Sequence, residues 1–548
     1  MYKQVLDPVA DSLGWSSLVA AIPLLLLFVL LGVLRITAWV ASLVSLAVAI
    51  AIAIAVYGMP AGQALLAGTE GAAFGIFPIL WIVVNAIWVY QMTIETGHFD
   101  VLRRSFARVS DDQRIQAIII AFSFGALLEA LAGFGTPVAV TSVMLIALGF
   151  KPLKAAALAL TANTAPVAFG AMATPIITLA KVTGMSADTL GAMVGRQTPI
   201  LALFVPLALL AIVDGWRGIR ETWPVAVVCG LVFALAQYAT SNFISVPLAD
   251  VAASLLSAAA VVAMVRVWRP REPYTERAAV AGGAADEPTP EFAARVEGRD
   301  TPAEVIRAYA PYLIIIVVFV VCQITPVKNF LDKATIKFHW PGLHLVSPKG
   351  KPVSLVEFTL NLLTTPGTQM LIAGIITMIA LRLSLPRAVK AYGAALHQLR
   401  WAIVTVMGVL ALAFVMNASG QTITLGTWMA AAGGAFALIS PILGWLGVAV
   451  TGSDTSSNSL FGALQLTAAN QAGLSPVLMA AGNSSGGVLG KMISPQNLAI
   501  AAAAVGLHGK EGDIFRRVVI WSVVFLVFMC VLSALQASDV LSWMVPHA

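Results

Sequence analysis

Long apolar runs, each near the roughly 20 residues needed to cross a hydrocarbon core of about 30 Å, recur along the whole chain, and the charge is concentrated between them. The pattern predicts spans near residues 15–35, 36–57, 73–94, 115–132, 135–149, 152–175, 199–214, 223–241 and 244–267. A second set follows near 305–324, 367–383, 400–416, 425–447, 454–470, 475–506 and 518–540, several of them interrupted by Gly, Pro or polar clusters. The runs do not alternate and far exceed the roughly 9–11 residues of a transmembrane β-strand. The expected fold class is therefore an all-α polytopic membrane protein. Composition agrees: 59% of the 548 residues are hydrophobic and 11% charged, against about a quarter charged in a soluble domain.

The first run, Trp15 to Leu34, is too long for a signal-peptide core and follows Asp7 and Asp11 rather than a basic stretch, so it reads as a retained span. Arg35, the cluster Arg103, Arg104, Arg108 and Arg114, then Arg217, Arg220, Arg382, Arg387 and Arg400 fall between spans and should be cytoplasmic, leaving both termini outside. The net charge of +6 is thus a topology signal and not a nucleic-acid signal. A stretch rich in Glu, Arg, Pro and Gly at 269–303 reads as a flexible cytoplasmic linker between membrane halves at 1–268 and 304–548. The segment 326–366 carries lysines but no arginine, includes His339, Trp340 and His344, and reads as a small external cap. Cys229, Cys322 and Cys530 sit in apolar runs at no metal-ligand spacing, which leaves them as packing thiols and predicts no metal site. With no H-E-x-x-H and no G-x-S-x-G motif, an embedded enzyme is disfavoured and no catalytic residue is assigned.

Comparing the halves exposes an internal repeat. Asn163-Thr164-Ala165-Pro166-Val167-Ala168-Phe169-Gly170-Ala171-Met172-Ala173-Thr174-Pro175 aligns without gaps with Asn483-Ser484-Ser485-Gly486-Gly487-Val488-Leu489-Gly490-Lys491-Met492-Ile493-Ser494-Pro495, at a constant offset of 320 residues. Asn, Gly, Met and Pro recur identically, and both threonines are answered by serine. With the arginines inside, the first copy runs outward and the second inward. That predicts two inverted repeats, an arrangement that holds substrate near the midplane where broken helices meet. Each copy follows an interruption: Gly133-Phe134-Gly135-Thr136-Pro137 in the first half and Gly452-Ser453-Asp454-Thr455-Ser456-Ser457-Asn458 in the second. Seven consecutive small or polar residues would leave groups unsatisfied in hydrocarbon, at several kcal/mol each, so they must face protein, water or ligand. The exposed amides at half-helix N-termini can hold a carboxylate, which points to a small organic anion as substrate.

At these residues the chain resembles the bacterial lactate permease family. The resemblance is carried by Gly452 to Asn458, Asn163 to Gly170 and Gly490-Lys491-Met492-Ile493-Ser494-Pro495-Gln496, with Asp214-Gly215-Trp216-Arg217-Gly218-Ile219 and Ala132-Gly133-Phe134-Gly135, and it spans nearly the whole chain. It implies proton-coupled symport of L-lactate, with D-lactate and glycolate as related 2-hydroxy acids, across the bacterial inner membrane. It also implies membership of a larger ion-transporter grouping with paired re-entrant hairpins, homodimers and elevator-like movement. No cofactor beyond the coupling proton is expected.

Coupling needs a titratable group inside the membrane, where such residues default to function. Glu129 and Asp454 are the acidic candidates, since burial makes a carboxyl hold its proton more tightly. Each has a plainer reading: a structural hydrogen-bond partner for Glu129, and a helix N-cap for Asp454. Lys491 and Arg196 could pair with the substrate carboxylate; the alternatives are an ion pair of Lys491 with a carboxylate such as Asp454, and interfacial snorkelling for Arg196. Ser453, Thr455, Ser456, Asn458 and Gln496 are expected to line the pocket, although Gln496 and Ser494 could equally cap a half-helix. For Asn163, Thr164, Asn483 and Ser484 the readings are ligand lining, favoured by their equivalent repeat positions, and hydrogen bonding between packed helices. His397, beside Arg400, reads as a surface histidine, and Trp81, Trp88 and Trp401 as interface anchors. A channel or facilitator for monocarboxylates is the alternative to a carrier. It would favour a continuous polar stripe, whereas the polar residues here gather in two breaks.

Overall fold

The computed structural model describes residues 2–133, 135–270, 273–274, 300–348, 350, 353–507 and 509–546. Most of the linker expected at 269–303, and Phe134 of the first interruption, lie outside the described residues. Among the described residues ten helical stretches are long and apolar enough to cross a membrane, or eleven if the pair Pro152–Ala162 and Val167–Thr183, bent by 65°, counts as one span. The protein is a multi-pass helical membrane protein. Two helices outrun the apolar stretches that predicted them. Leu385–Ser419 begins with exposed turns bearing Arg387 and Arg400, and Ala61–Glu95 runs on through Glu70, which is fully buried.

Two predicted spans, 115–132 and 135–149, form one hairpin. The helices Gln113–Leu131 and Thr136–Ala147 are joined by a turn in which Gly133 and Gly135 have φ of +51° and +81°, values that glycine adopts without a Cβ clash. The Gln113 side-chain amide donates to the Leu148 carbonyl at 2.9 Å, so both ends of the hairpin lie on one face. A second hairpin pairs Phe436–Thr451 with Asp454–Ala472 across Gly452, whose φ is +75°. It is held by Ser457 Oγ to the Gly444 carbonyl at 3.2 Å and Gln465 Nε2 to the Ser440 carbonyl at 3.0 Å.

Ion pairs gather several of the arginines on one face. Arg114, at the base of the first hairpin, bridges Asp112 (2.8 Å), Asp214 (3.3 Å) and Glu221 (2.7 Å); Arg387 meets Glu95 at 3.1 Å. Hydrogen bonding from Arg104 holds the Asp300 carboxyl below the usual carboxylate range. That tie is complete above the ordinary Asp value of about 3.9 and loosens as the pH falls through the lowered one. At the opposite face sits the cap. Its strands Thr335–His339 and Glu357–Asn361 pair antiparallel, and Leu345–Val346 pairs in parallel with Tyr2–Lys3, two small sheets that the apolar pattern did not predict. Lys181 ties the cap to the helices beneath: its ammonium donates to the Glu357 carbonyl at 2.8 Å, lies 3.9 Å from Glu70, and sits within 6 Å of the Phe74, Phe358 and Phe414 rings.

The two interrupted helices run in opposite directions between these faces. Pro152–Ala162 starts on the arginine face, where Lys154 donates to the Val213 carbonyl at 2.8 Å, and its continuation Gly170–Thr183 ends under the cap at Lys181. Pro476–Gly490 starts where the second hairpin ends, beside Gln421–Met429, whose Thr424 hydroxyl donates to the Leu6 carbonyl at 2.7 Å near the cap. Its continuation Pro495–Ala504 finishes at the arginine face, just before Glu511–Gln536. Small residues let Pro476–Gly490 approach Phe436–Thr451 backbone to backbone: a Cβ on Gly486 would run into Pro441 and one on Gly490 into the Trp445 carbonyl.

Two side chains depart from their predicted settings. Trp88 is buried and donates to the Ala388 carbonyl at 2.9 Å, so it is a packing residue and not an interface anchor. Arg196 lies away from the arginine face, bonded to Asn242 at 2.9 Å and to the Met544 carbonyl at 2.9 Å, which removes it from the substrate set. His397 is exposed and contacts Arg400, as expected of a surface histidine.

Candidate substrate site

The hairpin tips and the helix breaks converge on one cavity of about 1120 Å³. Its deep wall is formed by Glu129, Gly133, Gly170 and Ala171 from the first half and by Thr451–Ser456, Lys491 and Pro495–Ala499 from the second. Its mouth, rimmed by Arg35, Trp39, Trp401 and Glu511, opens on the arginine face. Trp39 and Trp401 stack there with centroids 5.0 Å apart. Of the residues expected to line a pocket, Ser453, Thr455, Ser456, Lys491 and Gln496 do so, with both acidic candidates, Glu129 and Asp454.

The second hairpin's tip shows how the sequence builds the wall. Glycine at 452 permits the left-handed turn, and its missing Cβ leaves room for the Gln496 side chain. Ser453, with extended backbone, caps the returning helix by accepting from the Ser456 amide at 3.3 Å. Asp454 is therefore the first helical residue and not the cap. Its Oδ2 accepts from Ser484 Oγ at 2.6 Å and Asn458 Nδ2 at 3.4 Å, while its buried Oδ1 has no partner. Asn458 also donates to the Pro175 carbonyl at 3.1 Å, joining this tip to the first half's broken helix. Asn483 stands behind the wall, donating to Asn458 Oδ1 at 2.9 Å and accepting from Gln465 at 3.1 Å. Asn458, Asn483 and Ser484 thus form a buried layer that fixes the Asp454 carboxyl.

The second helix break is built in the same way. Lys491–Ile493 forms a single 3₁₀ turn, Ser494 accepts from the Asn497 amide at 3.3 Å, and Pro495 opens the next helix. Ser494 is thereby a cap, whereas Gln496 and Ala499 are exposed to the cavity. The N-termini of Asp454–Ala472 and Pro495–Ala504 both point into the cavity, and their first-turn amides have no helical acceptor.

Lys491 does not pair with Asp454. Its ammonium contacts Glu129 Oε1 at 2.5 Å, across 362 residues of sequence, with both side chains at least nine-tenths buried. The contact needs glycine at 170, because a Cβ there would overlap the Glu129 carboxyl. Glu129 Oε2 has no hydrogen-bond partner. A buried pair whose two members both face a cavity can exchange partners when a charged ligand arrives.

The first helix break differs from the second. Gly170 is followed by three left-handed residues, Ala171, Met172 and Ala173, with φ of +44°, +56° and +59°, a conformation that costs L-residues about 1–2 kcal/mol each. Asn163 and Thr164 are buried here and do not line the cavity, and both Asn163 amide atoms and the Thr164 hydroxyl lack partners. The repeat-related asparagines therefore occupy unlike settings: both amide atoms of Asn483 are bonded within its layer, and neither of Asn163's is.

Known proteins match this chain along its length. A family profile described as L-lactate permease matches residues 16–540. The glycolate permease GlcA of Escherichia coli K12 is 43% identical over 540 residues, covering 96% of each chain. The L-lactate permease of the same strain is 41% identical over 558 residues, and that of Bacillus subtilis 168 is 40% identical over 573 residues, each with full coverage of both chains. These relatives are named permeases and not enzymes, in keeping with a cavity enclosed by interrupted membrane helices. The chain belongs to the L-lactate permease family.

Proposed function

We propose that this permease is a secondary active symporter that moves L-lactate, D-lactate and glycolate together with a proton. The observation that carries the reading is the Lys491–Glu129 pair in the cavity wall. A buried charge without a partner costs several kcal/mol, so the favoured states are those in which the charges of this pair balance. With the cavity empty, ionised Glu129 neutralises Lys491. With Glu129 protonated, Lys491 is free to pair with a carboxylate, and the balance is restored only if an anion binds. Proton and hydroxy acid therefore load together and leave together, which is the requirement for symport.

The remaining groups suit a 2-hydroxy acid. Carboxylate oxygens can accept from Lys491 and from first-turn amides of the two half-helices, while Ser453, Thr455, Ser456 and Gln496 offer partners to the adjacent hydroxyl. Asp454, the second carboxyl of the wall, is held by Ser484 and Asn458 and is the other group able to carry a proton here. The mouth of the cavity lies on the arginine face, and the opposite end of Gly170–Thr183 is packed around Lys181 under the cap. A carrier open to one side fits this better than a channel.

Lactate differs from glycolate by one methyl, worth about 0.8 kcal/mol of burial, so the two should compete within about fourfold of one another. A panel of unlabelled acids against radiolabelled L-lactate uptake in proteoliposomes tests this. L-lactate, D-lactate and glycolate are expected to compete, and acids lacking the 2-hydroxyl to compete less well. Equal competition by acetate and propionate would remove the hydroxyl from recognition.

A further inference from the structure

Among the buried carboxyls that the mechanism above leaves unused, one sits in a network with two hydrogen-bonding arrangements. Asp250, in the first turn of Ala249–Val267, is fully buried, accepts from Gln237 Nε2 through Oδ1 at 2.7 Å, and has no partner at Oδ2. Gln237 Oε1 faces Thr198 Oγ1 at 3.1 Å, and the same hydroxyl lies 3.1 Å from the Val194 carbonyl. One hydroxyl proton cannot serve both acceptors, so the chain has two complete arrangements. In one, Thr198 donates to Gln237, whose amide donates to an ionised Asp250. In the other the Gln237 amide is turned over: protonated Asp250 donates to its carbonyl, its NH₂ donates to Thr198, and Thr198 donates to Val194. The network can pair Oδ1 of Asp250 in either protonation state, where a purely structural Asp would need only one.

The helix break that precedes Val167–Phe169 holds buried polar atoms without partners, the Thr161 and Thr164 hydroxyls and both amide atoms of Asn163, and Glu129 Oε2 is likewise unpartnered. Val167–Phe169, in the same helix break, packs against both Gly125–Leu131, which carries Glu129, and Val246–Leu248, which leads directly into Asp250. Unpaired buried polar groups of this kind are satisfied by water. Of the charged side chains on elements packed against Ala249–Val267, Asp214, Arg217, Arg220 and Glu221 lie at or near the arginine-face bend of Thr198–Phe243, and Glu304 and Arg307 begin Pro302–Gln323. The remaining charged side chain on these elements is Glu129, on Gly125–Leu131, which packs directly against the helix of Asp250. Gln237 lies six residues before the cap-side end of its helix at Phe243, about 9 Å by the helical rise.

We propose that Asp250 is a further proton-bearing carboxyl of the transport cycle, linked to Glu129 through water held by Asn163 and Thr164, so that protons reach the cavity wall from the cap side by a path separate from the substrate's. The inference rests on the proton-coupled reading. It is tested with the full-length protein in proteoliposomes, measuring L-lactate accumulation under an imposed pH gradient and lactate exchange at equal pH. Asp250→Asn is expected to lower gradient-driven accumulation at least tenfold while exchange stays within about threefold, and Asp250→Glu to restore accumulation. An infrared carboxyl band that titrates in the wild type should vanish in Asp250→Asn. Should the wild type itself fail to accumulate lactate, the proton-coupled reading falls. If the wild type accumulates and Asp250→Asn does so equally, or if the Asn variant loses exchange and accumulation alike with the infrared band unchanged, the role given to Asp250 is overturned and the symport reading stands.

Discussion

Lys491→Ala is expected to abolish L-lactate uptake and to destabilise the protein by about 3–5 kcal/mol at neutral pH, the usual effect of removing one member of a buried ion pair. The reason is local. Glu129 and Lys491 are nine-tenths buried and touch at 2.5 Å, and without the ammonium the Glu129 carboxylate keeps no cation. The loss should shrink as the pH is lowered, because protonation neutralises the stranded carboxyl, so thermal unfolding at pH 8 and pH 5 separates this account from simple loss of packing. Pairing Lys491→Met with Glu129→Leu should recover most of the stability, since apolar replacements of buried pairs are often neutral or stabilising, and should recover none of the transport. A Lys491→Ala protein that transports at the wild-type rate would remove the ammonium from the substrate site.

Glu129→Gln isolates the proton. The amide keeps the shape of the carboxyl but cannot ionise, so Lys491 is permanently available to a carboxylate. Gradient-driven accumulation should fall to background, while exchange of internal for external lactate remains measurable. In the wild type, apparent affinity for lactate should fall as the pH rises, by up to tenfold per unit if one proton loads with each lactate. The Gln variant should show a flat profile. Equilibrium binding of labelled lactate between pH 5.5 and 8.5 measures this directly; uphill uptake unchanged by Glu129→Gln would take that residue out of the coupling role.

The parts of this arrangement that could be read in the sequence are those written in local pattern. The apolar runs placed nearly every helix, and the correspondence of Asn163 to Pro175 with Asn483 to Pro495 located both helix breaks. The hairpins were harder. Gln113–Leu131 is as long and apolar as a true span, and it takes the packing of Thr136–Ala147 back against it and the bond from Gln113 to Leu148 to show that the chain turns back. Partner choice was not legible at all: Lys491 was as free on paper to meet Asp454 as Glu129, and what decides the matter is a three-dimensional approach that depends on the absent side chain of Gly170. Asp454 looked like an N-cap because it precedes Thr-Ser-Ser, yet Ser453 one residue earlier has the extended backbone a cap requires. Asp250 escaped notice for a similar reason, since an acidic residue in the first turn of an apolar helix normally needs no explanation beyond the helix dipole. Only its complete burial and its two-way partner Gln237 set it apart.

The central claim is that a small hydroxy acid occupies the cavity between the second hairpin's tip and the second helix break. Ala499 faces that cavity beyond the residues given a binding role. In a chain with Cys229, Cys322 and Cys530 replaced by alanine, Ala499→Cys should react with a membrane-permeant maleimide, and saturating L-lactate should slow that reaction several-fold at pH 6 and much less at pH 8. A labelling rate that lactate leaves untouched at either pH would contradict the account.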